Sequence, residues 1–229
     1  MENKTQERFL NFPVQLLTGF LTDKDKVLDD IFDYALYSYS LKLKEGDESQ
    51  RKKATMRYFE VKDFSPERAK VISKSIPDKS PVTGISLNLF WDFYDREKAP
   101  FECAVFLAFC ALKSIVGEQP FIKIDNLYLL SRMDGKAKSV KDYDQLSREV
   151  FEFATSYKIR KIKDELVDKC GLKTYSRYTR GFYFSFKMEL DSLVFEAEKS
   201  RKKAKMAYLK KKEDEARLKA LERIKIMGF

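Results

Sequence analysis

Residues 156–188 read SYKIRKIKDELVDKCGLKTYSRYTRGFYFSFKM, and they join a helical pattern to a hairpin pattern. Ile159, Ile162 and Leu166 recur at helical spacing, which predicts a short helix packed on an apolar core. Ser156 is a suitable N-terminal cap for it, and Gly171 is a suitable end. The opposite face of this helix is predicted to be basic. It carries Lys158, Arg160, Lys161 and Lys163.

Two strands are predicted after this helix, folded about a tip at residues 179–181 that contains Arg180. The second strand shows the alternation typical of a strand with one buried face. Its apolar residues are Phe182, Phe184, Phe186 and Met188, and they alternate with Tyr183, Ser185 and Lys187. We expect the phenylalanines to pack against a helix over residues 101–116, and the other face to meet solvent or a ligand. The first strand presents Lys173, Tyr175 and Arg177 on one face.

The charge of the chain is concentrated in its C-terminal part. The net charge is +9, yet residues 1–98 hold 17 cations and 17 anions. Residues 156–188 hold nine cations and three anions, a net charge of +6. A localised excess of this kind is typical of a protein that binds a polyanion, although a solvated basic surface has the same composition.

The rest of the chain is predicted to be mainly α-helical with a small β wing, and 44% hydrophobic residues among 229 are enough for a core. The expected helices cover residues 13–44, 48–61, 65–76, 86–95, 100–117, 125–132, 142–153 and 189–227, with a short strand at 121–124. Within the first of these, Pro13 is expected to open a short turn, and Thr22 or Asp23 to cap the longer helix. The other expected helix starts are Ser65, Ser86, Pro100 and Asp125, and Gly117 is expected to close the helix that Pro100 opens. Residues 77–85 hold two prolines and a glycine and are predicted to be a loop. The expected divisions are a helical N-terminal section at 1–98, a second domain at 99–189 and a long charged helix at 190–229.

Several classes of protein are disfavoured by composition. The chain has no histidine, which excludes every mechanism that needs an imidazole and all histidine-based zinc sites. No stretch is long and apolar enough for a transmembrane helix, and the N-terminus has no apolar signal region, so a cytoplasmic protein is expected. We expect no cofactor, no metal site and no catalytic residue.

Between residues 100 and 188, the order of the predicted elements resembles that of a known family of domains. The segments FLAFCALKSIVG, IKIDNLYLLSRMDG and KIRKIKDELVDKCGLKTYSRYTRGFYFSF form the order helix, strand, helix, helix, two-stranded wing. This order resembles winged-helix DNA-binding domains, most of all those of phage and plasmid replication initiators. The family joins its two central helices by a short turn, whereas residues 136–155 separate them here.

The resemblance implies a duplex DNA-binding protein in replication initiation or transcription control. The helix that begins at Tyr157 would then lie in the major groove, and the wing would reach phosphates or the minor groove. Hydroxyls of Tyr175, Tyr178 and Tyr183 would be available to phosphate. The candidate contacts are Lys158, Arg160, Lys161, Lys163, Lys173, Tyr175, Arg177, Arg180, Lys202 and Lys203.

Two alternatives remain open from the residues alone. The first is a protein–protein adaptor with a solvated basic surface, in which the N-terminal helices or the C-terminal helix form a homodimer. The second, weaker alternative is a Mg²⁺-dependent nuclease, because carboxylates cluster at Asp29, Asp30 and Asp33 and again at Asp92 and Asp95. An enzyme is not expected, since carboxylates at such spacings are common on exposed helices.

Overall fold

The computed structural model describes residues 7–177 and 181–226, with side chains up to residue 219. This part of the chain is mainly helical (62%) with two small antiparallel sheets, as predicted. Its helices are α1 Lys24–Lys42, α2 Glu48–Phe59, α3 Pro66–Ser75, α4 Leu87–Tyr94, α5 Pro100–Val116, α6 Asn126–Met133, α7 Arg148–Phe151, α8 Ser156–Cys170 and α9 Leu190–Ile226. Its strands are β1 Phe9–Pro13, β2 Val82–Ser86, β3 Ile122–Ile124, β4 Lys173–Tyr175 and β5 Phe182–Ser185.

The first sheet corrects the prediction of a loop at residues 77–85 and adds a strand at Phe9–Pro13 that was not predicted. β1 pairs antiparallel with β2, with Leu10 opposite Ile85, and a short 3-10 turn at Val14–Leu17 precedes α1. Leu10, Phe12 and Ile85 are buried at alternate positions, which is the burial pattern of strands with one face on a core. The short turn predicted at Pro13 and the longer helix predicted after Thr22 or Asp23 are confirmed, since α1 begins at Lys24. In the predicted loop, by contrast, residues 82–85 belong to a strand.

The helix starts named by the sequence are confirmed. The side chains of Asp23, Ser65, Ser86 and Asp125 each accept a hydrogen bond from a backbone N–H of the first turn that follows. These four caps satisfy donors that have no partner within their own helix. Local chemistry thus decides where these helices begin.

The central element is α5, which opens at Pro100 and is closed by Gly117, as predicted. It packs against α6, α8 and β2, and most of its residues are buried. One hydrophobic cluster includes residues from Leu10 to Phe184, so both the N-terminal section and the following section contribute to it. Within the part of the chain that the structure describes, no helix has the length and apolar content needed to cross a membrane.

The second sheet has the strand order β3-β5-β4, with both pairings antiparallel. Phe182 and Phe184 face the main core, and Phe186 just beyond β5 packs edge-on against Phe109 of α5, as predicted. The opposite face of the sheet is also covered, since Tyr183 is only 8% exposed and packs with Leu193 and Ala197 of α9. This corrects the expectation that the second face of the hairpin meets solvent or a ligand.

α9 has two parts with different surroundings. Leu193 and Ala197 in its first turns are fully buried against the sheet. From Lys202 to Lys219 every side chain is exposed. The long C-terminal helix is therefore anchored at its start and projects from the body afterwards.

The connection between α6 and α8 corrects the helix predicted over residues 142–153. The structure has a 3-10 turn at Tyr143–Gln145 and only a one-turn helix, α7. Asp134 explains why the predicted helix is interrupted. Its carboxylate accepts a hydrogen bond from the backbone N–H of Ser147 at 3.0 Å and forms an ion pair with Lys136. These bonds hold the connection in a folded loop rather than a continuous helix.

Candidate nucleic-acid interface

α8 is held on the core by one face and presents the other outward. Thr155 caps it by accepting the backbone N–H of Lys158 at 3.3 Å, one residue earlier than the predicted Ser156. Ile159, Ile162 and Leu166 are buried against the body of the protein. The helix therefore offers a rigid surface, since its position is fixed by packing on α5.

Arg160 and Lys161 are the two predicted contact residues that are exposed on this outer surface. The side chain of Arg160 is 83% exposed, and its guanidinium lies 3.9 Å from Asp164, at the limit of an ion pair. The ammonium of Lys161 lies 5.6 Å from the ring centre of Tyr157 and 5.8 Å from that of Phe101. An exposed ion pair such as Arg160–Asp164 contributes little to stability, and Lys161 is itself exposed, so both cations are available to a ligand.

Lys158 and Lys163 were predicted on the same basic face, and the structure places them differently. Lys158 is half-buried and donates from its ammonium to the carbonyl of Glu152 at 2.8 Å, which ties it to the end of α7. The ammonium of Lys163 lies 4.3 Å from the ring centre of Phe182, between α8 and the sheet. Burial lowers the pKa of Lys163. The prediction of an outward Lys163 is wrong because the hairpin packs over that side of α8.

Tyr175 and Arg177, predicted to reach phosphate, interact with α9 instead. The Tyr175 hydroxyl donates to the carboxylate of Glu198, which also accepts from Arg201 at 2.7 Å. The hydrogen bond from Tyr175 lowers the pKa of Glu198, and the charges of Arg201 and Arg177 act in the same direction. The tyrosine is therefore already engaged by an acid of the protein.

Other predicted contacts of the hairpin and of α9 have mixed outcomes. Lys173 is half-buried opposite Ser185, and Tyr183 is buried under α9, which corrects its proposed role as a hydroxyl donor to phosphate. Arg180, like Tyr178, lies outside the described residues. Lys202 and Lys203 are exposed on α9, just beyond its anchored turns.

The loop between α6 and α7 adds cations that the prediction of contact residues missed. Lys138 and Lys141 are exposed there. The loop backbone is held by Ser131, whose hydroxyl accepts the backbone N–H of Val140 at 3.1 Å. The sequence signal was the basic segment KAKSVK at 136–141, which by itself indicated only a linker. A loop fixed in this way presents its lysines at little entropic cost on binding.

Arg132 also holds the loop between α6 and α7 in place. It is 3% exposed and donates to the Tyr128 hydroxyl at 2.8 Å, the Ser114 hydroxyl at 3.1 Å and the Ala137 carbonyl at 3.0 Å. Burial lowers its pKa. Three neutral partners around a buried guanidinium indicate a structural role, because the charge cannot reach solvent.

Four of the five carboxylates weighed for a metal site, those of Asp29, Asp30, Asp33 and Asp92, are engaged by other groups of the protein. Arg68 contacts Asp30 at 2.7 Å and Asp29 at 3.4 Å. Asp33 accepts the backbone N–H of Ser65 at 2.8 Å, and burial raises its pKa. Asp92 is bound by Lys98 at 2.6 Å. Over residues 7–177 and 181–219, no group of three or more acidic, cysteine or histidine side chains is arranged to hold a metal ion.

The structure thus brings together two sets of the predicted contacts rather than one. The first lies on the outer surface of α8 and contains Arg160 and Lys161. The second joins the hairpin to α9 through Tyr175 and Arg177, with Lys202 one turn beyond Glu198. Comparison of the chain with protein-family models, with curated proteins and with solved structures finds no match in any of the three.

Proposed function

We propose that this chain binds duplex DNA through a winged-helix-like domain at residues 99–189, in replication initiation or transcription control. The element order α5, β3, α6, α8 and the β4–β5 hairpin supports the proposal, since it is the order on which the resemblance rests. The connection through α7 lengthens the link between α6 and α8, yet α8 still packs on α5. In this arrangement α8 is the helix that enters the major groove.

The observation that carries the proposal is the contrast between the two faces of α8. Its inner face is buried through Ile159 and Ile162, and its outer face exposes Arg160 and Lys161 near the N-terminal end. A recognition helix uses the residues of its N-terminal half for base edges and phosphates. Tyr157, 68% exposed beside Lys161, supplies an apolar and hydrogen-bonding surface at the same end.

The flanking cations fit phosphate contacts on either side of the groove. Lys138 and Lys141 lie on the fixed loop before α8, and Lys202 and Lys203 lie on α9 beyond the hairpin. Phosphate contacts set the position of a protein on DNA, while contacts to base edges supply its sequence preference. We therefore assign the flanking lysines to affinity and Arg160 to selectivity.

The experiment is a titration of duplex DNA at several salt concentrations with the variant Arg160→Ala/Lys161→Ala. If both residues contact phosphates, the slope of log affinity against log salt falls by about 2, and if Arg160 also reads a base the affinity falls at least about tenfold. The matched control is Lys53→Ala/Arg57→Ala, which removes the same two charges from exposed positions on α2.

The outcome separates a specific surface from general charge. Equal weakening in both double variants would mean that net charge alone attracts DNA, and α8 would lose its proposed role. Binding of single-stranded DNA or RNA as tight as duplex binding would refute major-groove docking, because that mode requires a double helix. Unchanged affinity and slope in the α8 variant would refute the interface itself.

A second candidate function, docking to another protein chain, is favoured by the free part of α9. Met206, Tyr208, Leu209 and Leu218 are between 47% and 66% exposed there. Exposed apolar residues on a projecting helix fit a partner helix or a second copy of this chain. Light scattering of a chain that ends at Lys203, which keeps the anchored turns, tests it. A full-length monomer at all concentrations would refute the homodimer.

A further inference from the structure

A cavity of about 350 Å³ lies between α4, α5 and α8. Its apolar wall includes Phe101, Val105 and Phe109, which follow one another at intervals of four residues along α5. All three are half-buried although most of α5 is fully buried. The cavity volume is within the range of roughly 300–1,000 Å³ that is usual for small-molecule sites.

The charged groups at the mouth of this cavity are already paired. Asp92 binds Lys98 at 2.6 Å, and Glu165 binds Lys169 at 2.7 Å. Glu102 uses its carboxylate to accept the backbone N–H of Ala99 at 3.0 Å. A charged ligand would have to compete with these contacts, and breaking an ion pair leaves a charge without compensation. An uncharged ligand meets no such cost.

From this geometry we propose that the cavity is a binding site for a neutral, aromatic small molecule. The aromatic wall favours flat rings, which stack on or meet the edges of phenylalanine rings. Leu89 of α4 and the half-buried Cys170 of α8 complete the apolar lining. A ligand there replaces solvent on the stripe along α5 and leaves the ion pairs at the mouth in place.

The site is coupled to the outer surface of α8 through Phe101. One ring of the cavity wall, Phe101, lies 5.8 Å from the ammonium of Lys161, and Glu165 and Lys169 of α8 lie at the mouth of the cavity. A ligand in contact with Phe101 and with these residues therefore changes the surroundings of Lys161. This coupling, unlike the binding itself, rests on the proposed DNA-binding function, and it makes the cavity a regulatory site.

Binding is tested with the full chain and 1-aminoanthracene, a fluorescent probe that is neutral at pH 7. We expect saturable enhancement of its fluorescence and slower reaction of Cys170 with a maleimide when the probe is present. Val105→Trp fills the cavity and is expected to weaken probe binding at least tenfold. The control Val71→Trp adds the same ring at a position 70% exposed on α3 and leaves probe binding unchanged.

Each result decides one part of the proposal. Equal probe binding by wild type and the folded Val105→Trp variant would refute the site, and Leu89→Trp provides the same test if that variant fails to fold. Binding of the anionic 8-anilinonaphthalene-1-sulfonate in preference to the neutral probe would refute the ligand class. If Val105→Trp lowers the mass of the protein in light scattering, a second copy covers the cavity and the ligand proposal is wrong.

The regulatory step is tested separately, by titrating duplex DNA with and without saturating probe. Coupling predicts that the probe changes the DNA affinity at least threefold and that DNA changes the probe affinity by the same factor. Probe binding with no change in DNA affinity would refute the coupling and leave the site standing. Failure of DNA binding altogether refutes the proposed function and leaves the probe result unaffected.

Discussion

Replacement of Ser185 by alanine tests how the hairpin is joined to α9. The Ser185 side chain is fully buried at the end of β5. Its hydroxyl donates to the Pro120 carbonyl at 2.6 Å and accepts the backbone N–H groups of Lys187 at 3.0 Å and Met188 at 2.9 Å. One side chain thus connects the segment before β3, the end of the hairpin and the turn into α9.

The loss of stability expected for Ser185→Ala follows from these three hydrogen bonds. At a net value of about 0.5–1.5 kcal/mol each, their loss amounts to about 1.5–4.5 kcal/mol. Pro120 and Lys187 are exposed residues, so water can replace part of what is lost. We therefore expect Ser185→Ala to lower the free energy of unfolding by about 2 kcal/mol, which corresponds to a fall in Tm of about 4–8 °C for a chain of this length.

Urea unfolding followed by circular dichroism measures this change, with Ser75→Ala as the control. Ser75 is exposed, and its hydroxyl donates only to the Ile72 carbonyl of its own helix, at 2.7 Å. We therefore expect Ser75→Ala to change the free energy of unfolding by no more than about 0.5 kcal/mol. A Ser185→Ala variant as stable as this control would refute the reasoning, since three hydrogen bonds of a buried hydroxyl would then contribute nothing measurable.

Further predictions concern pH, backbone strain and thiol reactivity. The hydrogen bond from Lys98 lowers the pKa of Asp92, so this acid stabilises the fold above its unfolded pKa and loses that effect as pH falls through its folded pKa. Urea unfolding should show Asp92→Asn less stable than wild type at pH 7, with the difference shrinking as pH falls below the unfolded value of about 3.9. Gly171→Ala should cost about 1 kcal/mol, because its φ is +66° and the space around it is open. Gly135→Ala should cost about 3 kcal/mol in the same assay, because a Cβ there would lie 2.3 Å from a side-chain oxygen of the N-terminal turn. A maleimide should label the half-buried Cys170 first, and the two buried cysteines only on unfolding, as mass spectrometry of the labelled chain can show.

The sequence predicts those parts of the fold that local chemistry decides. Pro100 and Gly117 bound α5, and Asp125 starts α6, because caps and backbone preferences act within a few residues. The first sheet was missed for the opposite reason. Leu10 pairs with Ile85, which lies near the other end of the N-terminal section. A strand of five residues shows too few alternations of apolar and polar residues for the sequence to indicate its partner.

In the candidate interface, too, positions set within one helix could be predicted from the sequence, whereas long-range contacts could not. The outward position of Arg160 follows from the spacing of Ile159 and Ile162 on the same helix, so periodicity was sufficient. The hydrogen-bond partner of Tyr175 depends on which element covers the sheet, and that is decided by a long-range contact. The signal was present in Leu193 and Ala197, four residues apart at the start of α9, but it shows only that α9 has an apolar face, not where that face docks.

The N-terminal section bears on the interface through α5. β2 packs on α5, and the buried Thr83 hydroxyl donates to the Cys110 carbonyl at 2.9 Å. α8 packs on the same helix from another side. Because most residues of α5 are buried, removing residues 1–98 would expose the apolar side of α5 that β2 covers, and this would loosen the support of α8. The position of Arg160 and Lys161 is therefore a property of the full chain, and a fragment of residues 99–189 is expected to bind DNA more weakly than the intact protein, even though every proposed groove contact lies within it.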